Sequence, residues 1–162
     1  MTTHTPGPIA RTMYAAPAHL YDWHAGWLLG QRFLRLTHVG RRSGRTYHTV
    51  LEVVGTNKTT GEYVVIAGYG RAADWYRNVQ AHPAVEVVVG RHRFVPVHRV
   101  LDEPEAARVV ADYERRNRLI APVLRRVLSR LVGWDYDGGD AARSRLVQQL
   151  PVLAFRPADN TR

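Results

Sequence analysis

The sequence predicts an α+β domain that is mainly β: a small, partly closed antiparallel barrel of about six short strands with helices outside it. Three observations carry this. The chain has 162 residues, the usual size of one domain, and enough to bury about 70% of its unfolded surface. Its short apolar runs follow one another in hairpin-like succession, with few helices between them. The regular βαβα alternation of a doubly wound sheet is absent.

The elements read in order as follows. Residues 1–17 hold Pro6, Pro8 and Pro17 among small residues and read as a flexible arm. Residues 18–157 form the single domain, and 158–162 a tail. Leu20, Trp23, Trp27 and Leu28 fall on one face of a helix over 19–31. Residues 33–39 and 46–54 read as strands joined by a Gly-containing turn at 40–45. A loop over 55–61 leads to a strand at 62–67 around Val64, Val65 and Ile66. A second glycine loop, 68–73, precedes a short helix over 74–82 that Pro83 closes. Residues 84–89 and 93–101 read as a hairpin turning at 90–92, and Pro96 in its second arm marks an edge or a bulge. Asp102 caps a helix with Pro104 in its first turn, running to Asn117. Further helical patterns cover 122–131 and, capped by Asp140, 140–150. A strand at 152–155 closes the domain.

Composition removes several functions. There is no cysteine, hence no disulfide scaffold, Cys-ligated zinc, iron–sulfur cluster or thiol nucleophile. The eight histidines are scattered without an HExxH or a nearby third ligand, so no metal is expected. No GxSxG elbow or Walker sequence occurs. No apolar run reaches the roughly 20 residues of a membrane span, and residues 1–11 lack a signal-peptide core. These readings predict a cytoplasmic protein whose chemistry, if it is an enzyme, comes from a cofactor.

The net charge is +9, almost all of it arginine, with Lys58 the only lysine. Between Asp22 and Glu52 stand Arg32, Arg35, Arg41, Arg42 and Arg45 and no acid. Such a segment suits an anionic ligand, a nucleic acid or a membrane surface. The turn Gly40-Arg41-Arg42-Ser43-Gly44-Arg45 can present backbone N–H groups as an anion nest with guanidinium and hydroxyl donors around it; the alternative is a solvated hairpin turn. Gly68-Tyr69-Gly70-Arg71-Ala72-Ala73 satisfies a loose GxGxxA pattern with Glu86 downstream. The helix after it is too short for a Rossmann crossover, and the next strand turns straight back. A loop that lets a ligand approach the backbone at Gly68 and Gly70 fits better. In Asp74-Trp75-Tyr76-Arg77-Asn78, Trp75 or Tyr76 could stack on a flat ring, or Trp75 and Val79 could pin the helix to the barrel. Later, Leu119, Val123, Val127 and Leu131 form an apolar stripe among Arg115, Arg116, Arg118, Arg125, Arg126 and Arg130. That stripe either packs beneath a solvated basic face or lies on a membrane or an acidic partner. No aromatic-interleaved groove or recognition helix supports nucleic-acid binding.

Taken in order, Leu36-Thr37-His38-Val39-Gly40-Arg41-Arg42-Ser43-Gly44-Arg45, Tyr63-Val64-Val65-Ile66-Ala67-Gly68-Tyr69-Gly70, Asp74-Trp75-Tyr76-Arg77-Asn78-Val79 and Ala81-His82-Pro83 resemble the deazaflavin (coenzyme F420)-dependent nitroreductase and quinone reductase family of actinobacteria. The resemblance runs over 33–101, and more loosely over 134–157. It implies a split β-barrel related to FMN-binding proteins, and hydride transfer from reduced coenzyme F420 to a quinone, nitroaromatic or activated enone. The coenzyme carries a phosphate and an oligoglutamate tail. By the resemblance, Arg41, Arg42, Ser43 and Gly44 match the stretch that holds this tail, and His38 and Arg45 are expected among the cofactor-binding residues. Gly68, Tyr69 and Gly70 stand beside the deazaflavin ring, and Trp75, Tyr76 and Asn78 on the helix that closes over it. Many members continue the turn with Pro-Arg; here Thr46-Tyr47 stand there, and Arg45 is the nearest substitute. The Gly68 loop is also shorter than in the best-studied type of member. Tyr113 and Tyr136 are the candidate hydrogen-bond donors to the acceptor. The segment 14–27 could receive a lipophilic quinone and touch the inner face of the plasma membrane. The alternatives are an FMN-binding flavoprotein of the same fold and a non-enzymatic basic module. Monomer and homodimer both suit the sequence.

Overall fold

The computed structural model describes residues 31–159. The arm expected over 1–17, the helix expected over 19–31 and the quinone-receiving segment lie outside or almost wholly outside them. Eight strands form two antiparallel four-stranded sheets: β1 (Phe33–Val39), β2 (Thr46–Glu52), β5 (Glu86–Val89) and β6 (His92–Phe94) in the order β2-β1-β5-β6, and β3 (Gly55–Asn57), β4 (Glu62–Ile66), β7 (Pro96–Val100) and β8 (Val152–Pro157) in the order β3-β4-β8-β7. The described helices are α1 (Asp74–Ala81), α2 (Glu103–Arg116), α3 (Ala121–Val132) and α4 (Asp140–Gln149).

The mainly β, antiparallel class holds, with more strands than expected, and the extra ones share one cause. The chain switches sheets twice without a long connection. Beyond β2 it runs through Val53 and Val54 into β3, where Val54 donates its N–H to the Val64 carbonyl. The single arm expected over 93–101 breaks at Val95 into β6 and β7. Pro96 begins β7 on the sheet edge, opposite Pro157, where a missing N–H is tolerated. These two corners join the outer strands of one sheet to those of the other, which makes a split barrel.

The interior alternates as a pleated strand requires. Leu34 and Leu36 of β1, Val65 of β4, Val87 and Val89 of β5, and Leu153 and Phe155 of β8 fill the barrel with Trp75 and Val79 of α1. The other face of the second sheet, through Val64, Val152 and Ala154, packs on Ala106, Val110, Leu128, Val132, Leu146 and Val147 of α2, α3 and α4. Strand β8 is therefore covered on both sides, which is why Val152-Leu153-Ala154-Phe155 reads as an unbroken apolar run rather than an alternating one.

Helix α2 begins as its sequence dictates: the Asp102 carboxylate accepts from the Glu105 N–H at 2.9 Å. The expected cap at Asp140 shifts by one residue. Gly139 occupies the cap position, and Asp140 is the first helical residue, its carboxylate turned to Arg143 at 2.8 Å. Helix α3 ends at Gly133, whose φ of +80° is the left-handed conformation glycine adopts at low cost.

Phe155 is fully buried. We expect Phe155→Ala to cost about 3–5 kcal/mol, read as a fall in urea midpoint, and Val127→Ala, on an exposed position, to leave the midpoint within experimental error.

Candidate functional site

The interior column of β1 does not end in an aliphatic residue. Leu34, Leu36 and His38 share a face at the period of two, and His38 stands at the mouth of the barrel, 3% exposed. Its register partner on β2 is Tyr47, whose ring stacks on the imidazole with centroids 6.0 Å apart. Thr49, one step further along the same face, meets His38 Nε2 at 3.0 Å.

Helix α1 crosses this mouth. Trp75 and Val79 enter the core, which carries Asn78 inward with them, 4% exposed. The Asn78 side-chain oxygen accepts two hydrogen bonds from Arg41, one from the backbone N–H at 3.1 Å and one from Nη1 at 2.9 Å. Its NH2 group therefore faces His38 Nδ1, 3.1 Å away. Because that NH2 is a donor, Nδ1 must be the acceptor, and the proton of the neutral ring sits on Nε2, donated to Thr49. Burial and the neighbouring His48 hold the His38 pKa below its ordinary 6.5. A protonated ring would also set two donors against each other at Nδ1. A second contact of the same type places Thr37 Oγ1 3.0 Å from His48 Nδ1.

The basic turn between β1 and β2 is held from several sides. Gly40 donates to the Arg45 carbonyl at 2.8 Å and Gly44 to the Gly40 carbonyl at 2.9 Å. Arg41 Nη2 pairs with Asp74 at 3.0 Å, four residues before Asn78 and so on the same side of α1. Gly40 lets Ser43 and Tyr47 close over it: a Cβ there would lie 2.5 Å from Ser43 Oγ and 2.7 Å from a Tyr47 ring carbon, and would push those side chains aside. Gly44 is required by conformation, with φ +67°. Arg41 is thus a brace. Arg42 and Arg45 make no ion pair with any described residue.

The glycine loop is a 3₁₀ turn, Gly70–Ala72, entered through Tyr69. Arg71 Nη1 donates to the Gln148 carbonyl at 2.9 Å, and a Cβ on Gly70 would come within 3.1 Å of the Gln149 carbonyl. This tie to the end of α4 leaves the Tyr69 ring half-exposed, on the rim.

A cleft of about 530 Å³ lies between these parts. His38, Arg41, Arg42, Ser43, Tyr69, Trp75 and Asn78 line it, together with Gly40, Tyr47, His48, Thr49 and Asp74. Of the residues expected to contact a cofactor, Gly44, Arg45, Gly68, Gly70 and Tyr76 flank this lining rather than belong to it. The residues of β2 escaped sequence reasoning, although the strand alternation that aligns His38 with Leu34 also places Tyr47 and Thr49 opposite it. Tyr113 and Tyr136 are not brought to the cleft. Tyr113 donates to Glu52 at 2.7 Å, and Tyr136, buried in the helical core, donates to Glu114. Burial and these carboxylates push both phenol pKa values up, so each hydroxyl keeps its proton.

The residues present suit a flat ring joined to an anion. Tyr47, Tyr69 and Trp75 supply aromatic walls, and the turn supplies hydroxyl and guanidinium donors. Among the described residues no group of three or more His, Asp or Glu could hold a metal, and no described helix is long and apolar enough to cross a membrane.

A split barrel with such a cleft at its mouth places the protein in the class of split-barrel coenzyme-binding proteins. Residues 19–119 match the sequence profile of the F420H(2)-dependent quinone reductases, and the chain belongs to that family; it is an F420-dependent oxidoreductase. Among solved structures it is similar to a protein of unknown function from Agrobacterium tumefaciens, at 14% identity and a TM-score of 0.51 over 97% of this chain and 57% of the other. An F420-H2 dependent reductase matches at 18% identity and a TM-score of 0.46, over 78% of this chain and 96% of the other. A pyridoxamine 5′-phosphate oxidase-related, FMN-binding protein from Nostoc punctiforme matches at 17% identity and 0.48, over 96% and 82%. A comparison with curated proteins finds no match.

The geometry fixes two outcomes. Imidazole 15N shifts should show His38 neutral with its proton on Nε2 at pH 7, and Asn78→Asp should raise its pKa by placing a carboxylate on Nδ1. The unfolded chain takes a proton near pH 6.5 that folded His38 refuses. Stability from this group is therefore complete above that pH and declines as pH falls below it; a His38→Gln variant should show a flatter acid limb in urea titrations.

Proposed function

We propose that the chain transfers a hydride from reduced coenzyme F420 to a quinone, with nitroaromatics and activated enones as further acceptors. The observation that carries this is the pair of arginines, Arg42 and Arg45, left without a carboxylate on a turn that its neighbours hold rigid beside the cleft. The coenzyme, when bound, supplies the hydride; the rest is binding and orientation by the protein. Arg42 and Arg45 grip the phosphate and carboxylates of the tail, with Ser43 adding a hydroxyl donor. Arg41 keeps the turn in place through Asp74 and Asn78, so the grip is organised before the ligand arrives. Tyr47, Tyr69 and Trp75 flank the ring and displace water from it. His38 stays neutral, which keeps a buried positive charge away from the ring.

Fluorescence titration of the deazaflavin tests this. Arg42→Ala combined with Arg45→Ala should weaken binding at least tenfold, since each charge-assisted contact contributes about 1.5–3 kcal/mol, and added salt should weaken the unaltered protein in the same direction. Excess FMN should not displace the deazaflavin. Binding indifferent to both arginines and to salt would refute the assignment of the turn. Turnover of nitroaromatics with no reduction of quinones would refute the choice of acceptor.

A further inference from the structure

Between Glu114 and Asp135 the chain holds six arginines and no acidic residue. Of the apolar stripe expected in this stretch, Leu131 packs against the helical core, while the other three members stand exposed. Leu128 and Val132 of α3 face the core, but Leu119 is 92% exposed, Val123 62%, Val127 46% and Ile120 45%. Val123 and Val127, four apart, share the outer side of α3, and Leu119 and Ile120 are exposed on the 3₁₀ turn Arg118–Ile120 just before it. Arg126 and Arg130, each three residues beyond one of these valines, flank them. A second cleft, of about 380 Å³, opens on a different side of α3, that of Ala121 and Arg125; its lining includes Arg115, Arg118, Arg125, Arg143 and Glu114 and none of the exposed apolar residues. Glu114 already receives the Tyr136 hydroxyl and the Arg143 guanidinium, the latter at 3.0 Å, while Arg118 and Arg125 make no ion pair with any described residue.

We propose that this face docks on an anionic lipid bilayer, with the exposed apolar side chains entering the acyl boundary and Arg126 and Arg130 among the headgroup phosphates. Single exposed valines are ordinary, but neighbouring exposed apolar side chains flanked by arginines have the composition of an interfacial helix. Arginine stems can lie along the apolar boundary while their heads stay among phosphates. Charge argues against a second copy of this chain as the occupant, because a two-fold contact here would set arginines against arginines. A bilayer surface of phosphates over acyl chains matches the whole patch, apolar side chains included. The inference is independent of which acceptor the cofactor cleft serves.

Vesicle flotation of the full chain tests it. Vesicles containing phosphatidylglycerol should carry the protein up, and pure phosphatidylcholine vesicles should not. Arg126→Gln with Arg130→Gln should weaken partition about thirtyfold. Leu119→Ser with Val123→Ser should weaken it at every salt concentration. Both variants should keep the melting temperature and the deazaflavin affinity of the unaltered chain, which separates lost docking from lost folding. The proposal is overturned if anionic vesicles do not bind, or if binding survives both variants, which would move the contact to residues 1–30. It is also overturned if the chain is a dimer that Val123→Glu splits.

Discussion

One side-chain amide holds the candidate site together. The Asn78 carboxamide joins α1 to the β1–β2 turn by accepting twice from Arg41, and to the barrel interior by donating to His38. All three bonds lie at the mouth of the barrel, where water cannot easily replace them, so losing one partner would leave the others unsatisfied. The amide also transmits orientation. A cationic side chain on the turn decides which end of Asn78 faces inward, and that end decides where the proton of a buried histidine sits. The cleft inherits its shape and its charge distribution from this one joint.

The barrel explains why the joint can be so exact. Trp75 and Val79 anchor α1 in the same core that β1 and β2 enclose, so the three pieces that meet at Asn78 are each fixed elsewhere. The basic turn contributes two kinds of arginine from adjacent positions. Arg41 faces the helix and is consumed in structure, while Arg42 and Arg45 face away from any described carboxylate. A stretch that looks uniformly cationic in the sequence is divided by the fold into a brace, Arg41, and two arginines without a described carboxylate partner.

Much of this was legible beforehand. Alternation along β1 and the short apolar runs of β4 and β8 located those strands, Asp102 with Pro104 located the start of α2, and the glycines located both loops. The two sheet corners were not legible. They depend on which strands meet across the barrel, and a strand of three residues such as β3 has no periodicity of its own to read. Composition marks residues 40–45 as a candidate anion site, but it cannot say that Arg41 differs from Arg42, because the difference lies in Asp74 and Asn78 far along the chain. The tyrosines at 113 and 136 show the opposite error. A phenol can serve many roles, and only packing reveals that both are committed to carboxylates away from the cleft.

The position of β8 in the chain has a further consequence for how the protein is made. This strand sits between β4 and β7 and separates the barrel interior from the helical layer, yet it is the last described element to be synthesised. Tyr63 on β4 finds its partner only at Phe155. Until then both apolar faces of the second sheet lack their common wall, and no local contact can replace it. Closure over so long a loop is slow compared with forming the helices or the β1–β2 hairpin. Until β8 emerges, the nascent chain leaves that edge of β4 unpaired, the kind of exposed edge at which partly folded chains aggregate.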